Sequence, residues 1–193
     1  DKMTNMVADF LTSNGFTDIM STSLTKSSYY EGLKSYPADS CVKMLNPLSA
    51  DLSVMRQTLL FNTLEAVQLN ANRRNADLKF YEFGNCYYYD MAKKDEGGLA
   101  PYSEIYRLSV AVTGEQKEAS WNQKPAAADF YYLRNWLEKI LRRFGLDIYA
   151  LKTEALESDL FGQALSIKLN GKEFAQMGVV APVLRDQFDM KQD

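Results

Sequence analysis

Three segments, taken in order along the chain, decide its fold: Leu45-Asn46-Pro47-Leu48-Ser49, then Met55-Arg56-Gln57-Thr58-Leu59-Leu60, then Tyr81-Glu82-Phe83-Gly84-Asn85. The first segment predicts a rigid turn, because proline restricts its own φ and keeps the preceding asparagine out of the helical region. The second predicts the start of a helix that opens on an arginine. The third predicts a strand that carries a buried glutamate beside a glycine.

Arg56 is an unusual residue for a helix start, because that end of the helix dipole disfavours cations. We therefore expect Arg56 to have an acidic partner, either Glu82 or a residue of another chain. A strand glutamate could also serve as a general acid or base. A glutamate satisfied by a nearby arginine or a backbone donor is the commoner situation. The two residues therefore indicate architecture, and they identify no reaction.

Composition excludes several classes of site. The chain has 193 residues, of which 46% are hydrophobic, and this is enough for a globular domain with a core. It contains no histidine, which excludes Ser-His-Asp and Cys-His nucleophiles and every zinc site that uses histidine. The formal net charge of -3 gives no electrostatic reason to expect a dedicated nucleic-acid binder.

Cys41 and Cys86 lie in apolar surroundings, and we expect both to be buried, reduced thiols. Reduced thiols are typical of a reducing compartment, so we expect a cytoplasmic protein. No run approaches the roughly 18 apolar residues that a membrane helix needs, and the N-terminus lacks a secretory pattern. Because the chain begins at Asp1 without an initiator methionine, we interpret it as a piece of something longer.

Hydrophobic periodicity predicts three helices and a set of strands. The first helix covers residues 3–14, the second covers 54–74, and the third follows Asp129 as its N-cap and stops at Gly145. The predicted strands are 16–25, 41–45, 79–89, 104–113, 148–154, 164–169 and 174–180, with a long loop over 91–102 and an Asn170-Gly171 hairpin turn.

Helices and hairpins follow one another without the repeating βαβ order of a parallel sheet, which predicts an α+β class with a largely antiparallel sheet. The chain shows no internal repeat and no low-complexity linker. A single domain over residues 1–193 is therefore the expectation.

Several short motifs occur in a recognisable order. Besides the three opening segments they are Gly15-Phe16-Thr17-Asp18, Asn70, Asp129-Phe130-Tyr131-Tyr132-Leu133-Arg134 and Met177-Gly178-Val179-Val180-Ala181-Pro182. Together they resemble the phenylalanyl-tRNA synthetase β subunit family over essentially the whole chain. The resemblance implies the class II aminoacyl-tRNA synthetase fold, an antiparallel sheet flanked by helices. It makes Asn46, Pro47, Arg56, Glu82 and Gly84 structural motif residues.

The resemblance also implies that this region has the fold of a class II catalytic domain but does not itself catalyse the reaction. Active class II domains carry an arginine-x-glutamate on the corresponding strand, where the arginine grips the ATP α-phosphate. This chain has Cys86-Tyr87-Tyr88-Tyr89-Asp90 at that place, and tyrosine carries no positive charge. We therefore expect no catalytic residues, no metal and no cofactor in this domain.

For the intact enzyme the resemblance implies an α2β2 assembly in which the α subunit uses ATP and magnesium to join phenylalanine to tRNA(Phe). The first predicted helix resembles the helix through which α and β chains pack. Its apolar stripe is therefore a predicted subunit interface, although the stripe could instead face its own sheet. The stripe residues are Met3, Met6, Val7, Phe10 and Leu11.

Two other interpretations stay open. One is an independent class II enzyme that activates an amino acid with ATP, which would require a cation facing the pocket beside Tyr88. The other is an RNA-contacting module of the same enzyme that uses Arg73, Arg74 and Lys79 as phosphate contacts.

Overall fold

The computed structural model describes residues 1–116, 121 and 125–190, and the architecture over these residues is α+β. The elements, in chain order, are α1 (Lys2–Ser13), β1 (Thr17–Asp18), β2 (Leu24–Thr25), β3 (Val54–Met55), α2 (Leu60–Asn72), β4 (Leu78–Tyr89), β5 (Tyr102–Thr113), α3 (Phe130–Arg143), β6 (Lys152–Ala155), β7 (Phe161–Leu169), β8 (Lys172–Val180) and α4 (Pro182–Gln187). Short 3-10 turns occupy Ser27–Tyr30, Ala38–Ser40, Ala50–Leu52, Met91–Glu96 and Ile148–Ala150.

The strands form three small sheets, with the orders β1-β4-β5, β2-β3 and β6-β7-β8. Pairing is antiparallel between β2 and β3, between β6 and β7, and between β7 and β8. The predicted α+β class with antiparallel pairing is therefore confirmed.

The chain divides into two compact units. The first unit contains Asp1–Thr17, Val67–Lys79 and Ala111–Asp193, and the second contains Asp18–Ala66 and Phe80–Val110. Strands β4 and β5 contribute residues to both units. Whether the chain folds as the single domain expected from its sequence stays a prediction.

The first unit has its core around α1, α3 and the β6-β7-β8 sheet. Asp129 caps α3 as predicted, because its side chain accepts a hydrogen bond from the Tyr132 backbone at 2.8 Å. The most buried residues of α3 are Trp136, Ile140 and Leu141. The sequence pattern does not place Trp136 in the apolar stripe, yet it is the central aromatic residue of this helix.

The second unit has an aromatic core. Phe61 of α2 stacks against Tyr29 at 4.9 Å between ring centroids and meets Tyr30 edge-on at 5.3 Å. Both Phe61 and Tyr30 are fully buried. These contacts join the start of α2 to the first 3-10 turn of the unit.

Two predicted strands are much shorter than expected. Residues 16–25 form only the two-residue strands β1 and β2, and the segment between them bonds to both backbone and side-chain groups of β4. Ile19 N donates to Tyr81 O at 2.9 Å, and Ser21 N donates to a Glu82 carboxylate oxygen at 3.3 Å. The predicted strand 41–45 is reduced to a single bridge between Lys43 and Val54.

The second helix begins later than predicted. Val54 and Met55 pair with β2, so α2 starts at Leu60 and not at residue 54. The predicted loop over 91–102 contains a 3-10 helix at Met91–Glu96. The predicted strand at 148–154 begins as a 3-10 turn, and only its second half enters β6.

The hairpin between β7 and β8 has the predicted turn, with φ of 52° at Asn170 and 78° at Gly171. We expect Gly171→Ala to lower the free energy of unfolding by about 1 kcal/mol, because a Cβ is unfavourable in the left-handed region. Urea unfolding would measure the loss. Asn170→Gly is the matched control and should leave stability nearly unchanged. An alanine variant as stable as the parent chain would contradict this account of the turn.

Candidate functional site

An arginine and a glutamate form a buried ion pair at the centre of the second unit. Arg56 follows β3, and Glu82 lies on β4. Arg56 Nη1 is 2.7 Å from Glu82 Oε1, and the two side chains are only 4% and 2% exposed. Charges buried to this degree require pairing and further hydrogen bonds, because desolvation would otherwise expel them.

Ser21 supplies part of the further hydrogen bonding. Its hydroxyl oxygen lies 2.7 Å and 2.8 Å from the two carboxylate oxygens of Glu82, and it accepts a hydrogen bond from Arg56 Nη1 at 2.8 Å. The Ser21 backbone N–H also donates to Glu82 Oε1 at 3.3 Å. The serine therefore bridges both members of the ion pair.

The backbone holds Arg56 in place from two sides. Its amide donates to Ser23 O at 2.9 Å, and its carbonyl accepts from Tyr87 N at 2.8 Å. Its side-chain Nε donates to Asn85 O at 2.9 Å. The guanidinium is thus tied to the segment before β2 and to β4, and it has little freedom to reach an external group.

The predicted partnership of Arg56 with Glu82 is correct, but the physical reason for it is different from the one expected. Arg56 does not open a helix, because α2 begins four residues later at Leu60. The arginine is explained by the buried carboxylate it must neutralise and not by a helix dipole. Ser21 was missed, since a single serine in a polar stretch gives no signal at the sequence level.

Gly84 belongs to the same centre. A Cβ added at Gly84 would overlap Arg56 Nη2 and would lie 3.0 Å from Leu59 Cδ2. The glycine therefore makes room for the guanidinium against β4. Asn46 and Pro47 are placed elsewhere, in the exposed segment 44–51. Of the five predicted motif residues, the structure brings together Arg56, Glu82 and Gly84.

The sequence resemblance predicts that Tyr88 stands where active class II domains carry an arginine. Its hydroxyl donates a hydrogen bond to Gln57 O at 2.8 Å. The Arg107 guanidinium of β5 also hydrogen-bonds to this hydroxyl. Burial raises the pKa of Tyr88, and nearby Arg107 opposes that shift without cancelling it, so the phenol is neutral at physiological pH.

The sequence alone gives no reason to expect Arg107 at this position. No cation was expected beside Tyr88, because β4 itself offers none. The cation comes from the neighbouring strand β5, and only the pairing of the two strands reveals it. The predicted strand over 104–113 contains Arg107 but does not indicate which residue its side chain contacts.

Gln57, the residue after Arg56, connects the ion-pair region to Cys41, one of the two buried cysteines of the second unit. Its backbone N–H donates to the Tyr30 hydroxyl at 3.0 Å, and its side-chain Nε2 donates to Pro37 O at 3.0 Å and lies 2.9 Å from Cys41 Sγ. Burial raises the pKa of Tyr30 far above its ordinary range. Gln57 is itself almost completely buried. These hydrogen bonds indicate a structural role for Gln57.

Both cysteines are free and buried, as predicted. Burial raises the pKa of the Cys41 and Cys86 thiols above the ordinary 9.0. Below about pH 8 the thiols are essentially neutral in both folded and unfolded chains. Above it the unfolded chain loses thiol protons that the folded chain keeps, so stability falls as pH rises.

We therefore expect the urea midpoint to decrease between about pH 8 and about pH 10.5, the range in which unfolded thiols lose their protons. Replacing both cysteines by alanine removes their share of this dependence, and the slope of midpoint against pH should become shallower. Buried tyrosines keep part of the slope in the variant. An unchanged slope would contradict the assignment to the thiols.

The predicted interface stripe on α1 is partly used within the first unit. Val7 and Leu11 are buried, Met6 and Phe10 are half-buried, and Met3 is exposed. The buried pair therefore packs within the chain. A partner could reach only the remaining three residues, and the interface itself stays a prediction.

Phe10 explains how α1 meets α3. Its ring lies 6.0 Å from the Trp136 ring, and Arg143 lies 4.5 Å above its centre. Phe16, which follows α1, meets Trp136 edge-on at 5.1 Å. Trp136 is therefore enclosed by aromatic residues from α1 and from the segment that follows α1 in the chain.

The basic residues considered for RNA contact lie in the first unit. Arg73 and Arg74 are exposed in the turn after α2, and Arg74 has a φ of 64°. Lys79 Nζ lies 5.8 Å from the centre of the Tyr132 ring.

In the described part of the chain, no three His, Cys, Asp or Glu residues are grouped to hold a metal ion. None of the described helices is long and apolar enough to cross a membrane.

The sequence matches a family described as "Phenylalanyl tRNA synthetase beta chain CLM domain" over residues 1–193. The phenylalanine–tRNA ligase beta subunit of Bacteroides fragilis is 47% identical over 192 residues, which is 98% of this chain and 23% of that protein. The corresponding subunit of Bacteroides thetaiotaomicron is 48% identical over 192 residues, again 98% of this chain and 23% of that protein. The chain thus spans about a quarter of these relatives' length.

Comparison of folds gives the same class. A pyrrolysyl tRNA synthetase of Desulfitobacterium hafniense superposes with a TM-score of 0.69 at 16% identity, covering 99% of this chain and 62% of that one. At this identity the likeness shows the fold alone, which is the class II aminoacyl-tRNA synthetase fold. The sequence match shows that the chain belongs to the family of phenylalanyl-tRNA synthetase beta chain CLM domains.

Proposed function

We propose that this domain is a structural, non-catalytic part of a phenylalanine–tRNA ligase beta subunit. Its role is to support assembly with the α subunit, and the α subunit performs the ATP-dependent attachment of phenylalanine to tRNA(Phe). The assembly is an α2β2 heterotetramer that acts in the cytoplasm. ATP, magnesium and tRNA belong to the whole enzyme and not to a site in this domain.

The observation that carries the proposal is the position of Tyr88. Adenylation builds negative charge on the α-phosphate, and stabilising it requires a fixed cation or a comparable donor. Tyr88 is neutral, and its hydroxyl proton is already donated to Gln57 O at 2.8 Å. The buried Arg56 is committed to Glu82, so it supplies no charge to a phosphate. Neither Tyr88 nor Arg56 therefore offers a positive charge to an ATP phosphate.

Arg107 is the one observation that favours the alternative of an independent amino-acid-activating domain. It is exposed and lies beside Tyr88, so it could present a positive charge from β5. The hydrogen bond between the Arg107 guanidinium and the Tyr88 hydroxyl already gives Arg107 a structural role. The two functions predict different effects on activity when the charge of Arg107 is removed.

Pyrophosphate exchange with phenylalanine and ATP separates the two functions. We expect no exchange above the enzyme-free blank for this chain, and full exchange for the complete enzyme. Arg107→Gln in the complete enzyme should leave exchange unchanged, whereas it would lower exchange if this domain also activated phenylalanine. Exchange by the parent chain that disappears in Arg107→Gln would overturn the non-catalytic proposal.

The assembly role can be tested by titrating the α subunit into this chain and following light scattering. Met6→Lys combined with Phe10→Asp is the disruption that the sequence suggests, but Phe10 packs on Trp136 and its loss would also weaken the fold. Met3→Lys is the better variant, because Met3 is exposed on the same helix. A complex that forms normally with either variant would argue against α1 as the interface. No complex with the parent chain would overturn the assembly role.

A further inference from the structure

Asparagine followed directly by glycine occurs twice in the chain, at Asn14-Gly15 and at Asn170-Gly171. Asparagine is one of the thermolabile residues of proteins. A following glycine favours loss of its side-chain amide, because glycine has no side chain to shield the backbone nitrogen that attacks the amide carbon. In an unfolded chain the two pairs therefore have the same chemistry. In the folded chain their surroundings are different.

The first pair lies at the end of helix α1, and both of its reacting groups are hydrogen-bonded. The Asn14 side-chain amide Nδ2 donates to Phe10 O at 2.7 Å. The Gly15 backbone N–H donates to Thr12 O at 3.0 Å. The following residue, Phe16, is buried, so the backbone on that side is also held in place. Rotation of the peptide between Asn14 and Gly15 would break these hydrogen bonds and disturb the core.

The second pair forms the turn between β7 and β8. The strand register joins Leu169 to Lys172, so Asn170 and Gly171 lie outside the ladder. Both turn residues are exposed. Within the described residues, no hydrogen bond holds the Asn170 side-chain amide or the Gly171 backbone N–H. The two groups that must react are therefore accessible to water and break no hydrogen bond of their own.

The turn must move before these two groups can react. Asn170 has a φ of 52°, in the left-handed region, where ψ is about +47°. At this ψ the Gly171 nitrogen points away from Asn170 Cγ, and ring closure needs a rotation about ψ that brings the two atoms into attacking geometry. Such local opening is favourable at the exposed tip of a hairpin compared with a helix end above a core, because only the last pair of the ladder is disturbed.

We propose that Asn170 is a site of spontaneous deamidation in the folded chain, whereas Asn14 is protected. The Gly171 backbone nitrogen loses its proton and forms a bond to Asn170 Cγ, the bond from Cγ to Nδ2 breaks, and ammonia leaves with that proton. Water then opens the cyclic imide. Opening at Cγ leaves an ordinary aspartate at position 170. Opening at the backbone carbonyl carbon leaves a β-linked aspartate, in which the main chain runs through the side chain.

The β-linked product changes the hairpin itself. Its main chain has an additional carbon atom before Gly171, so a two-residue turn can no longer join Leu169 to Lys172 in the same register. Both products also carry a carboxylate that the original amide lacks. We therefore expect modification of Asn170 to weaken the pairing of β7 with β8 as the protein ages.

Peptide mapping of the complete beta subunit by mass spectrometry tests the proposal. The protein is incubated in mildly alkaline buffer, once folded and once unfolded in guanidinium chloride, and the loss of each amide is followed with time. In the unfolded protein Asn14 and Asn170 should react at similar rates. In the folded protein Asn170 should react at least about tenfold faster than Asn14, since only Asn14 must first lose its hydrogen bonds.

Three results would overturn the proposal. They are equal rates at the two positions in the folded protein, a faster reaction at Asn14, and no reaction at Asn170 under conditions in which the unfolded protein reacts. Because the unfolded protein provides the reference rate for each site, a slow reaction in the folded protein is assigned to structure and not to the local sequence.

A variant tests the consequence for the hairpin. Asn170→Gly removes the reacting amide and keeps a residue that adopts a positive φ without strain. After incubation, amides of Phe161–Leu169 and Lys172–Val180 should exchange with solvent faster in the parent beta subunit than in a fresh sample. The Asn170→Gly variant should show no such change. Equal changes in the two proteins would overturn the assigned effect of position 170 on the hairpin.

Discussion

Glu82→Ala is expected to lower the free energy of unfolding by about 3–5 kcal/mol, because it leaves the buried guanidinium of Arg56 without a counter-charge. The substitution also removes both carboxylate contacts of Ser21. Urea denaturation followed by far-ultraviolet circular dichroism measures the change.

Two control variants distinguish the effect on stability of burying an ion pair from the effect of having an ion pair at all. Glu138→Ala breaks the partly exposed pair of Arg134 and Glu138 on α3, whose N–O distance is 3.2 Å. Its expected cost is only about 0.3–0.5 kcal/mol. Arg56→Met combined with Glu82→Leu removes both charges and should be less destabilising than Glu82→Ala. A Glu82→Ala cost as small as that of Glu138→Ala would show that the buried pair does not stabilise the second unit.

Gly84→Ala is expected to destabilise the chain by about 1–3 kcal/mol, because the new methyl group would occupy the position of the Arg56 guanidinium. The guanidinium is held by Glu82 at 2.7 Å and by Asn85 O at 2.9 Å, so it cannot move aside without breaking these contacts. The same urea titration measures the loss.

Gly162→Ala is the matched control for Gly84→Ala. A Cβ at Gly162 would meet only Pro182 Cδ at 3.7 Å, an ordinary van der Waals contact. We expect little change in stability for this variant. Equal effects of the two substitutions would mean that loss of backbone freedom in the unfolded chain, and not crowding of the guanidinium, governs both.

Long periodic elements were predictable from sequence, because a single physical signal dominates each of them. The α3 helix has an acidic N-cap, an apolar stripe and a terminal glycine, and β7 and β8 are joined by Asn170-Gly171. Short elements were not predictable in the same way. Residues 16–25 have strand composition, but their polar groups are used to satisfy a carboxylate from β4, which is distant in sequence.

Some residues of the candidate site were likewise predictable from the sequence, and others were not. Arg56, Glu82 and Gly84 could be placed together, because a buried acid beside glycine needs a cation and space for it. Ser21 and Arg107 could not be placed, since each reaches the site through strand register and loop geometry that leave no mark on local composition. The stripe on α1 was correctly assigned to a helix, but its inner half turned out to be core.

The burial of Trp136 among Phe10, Phe16 and Tyr132 makes its fluorescence a selective probe. Both tryptophans of the chain, Trp136 and the exposed Trp121, belong to the first unit. Tryptophan emission therefore does not report on unfolding of the second unit. Acrylamide will quench the solvent-facing indole and leave the enclosed one as a reporter of the α1–α3 contact. Circular dichroism averages over the whole chain. Coincident transitions by the two probes would mark one cooperative folding unit, and separated transitions would mark two.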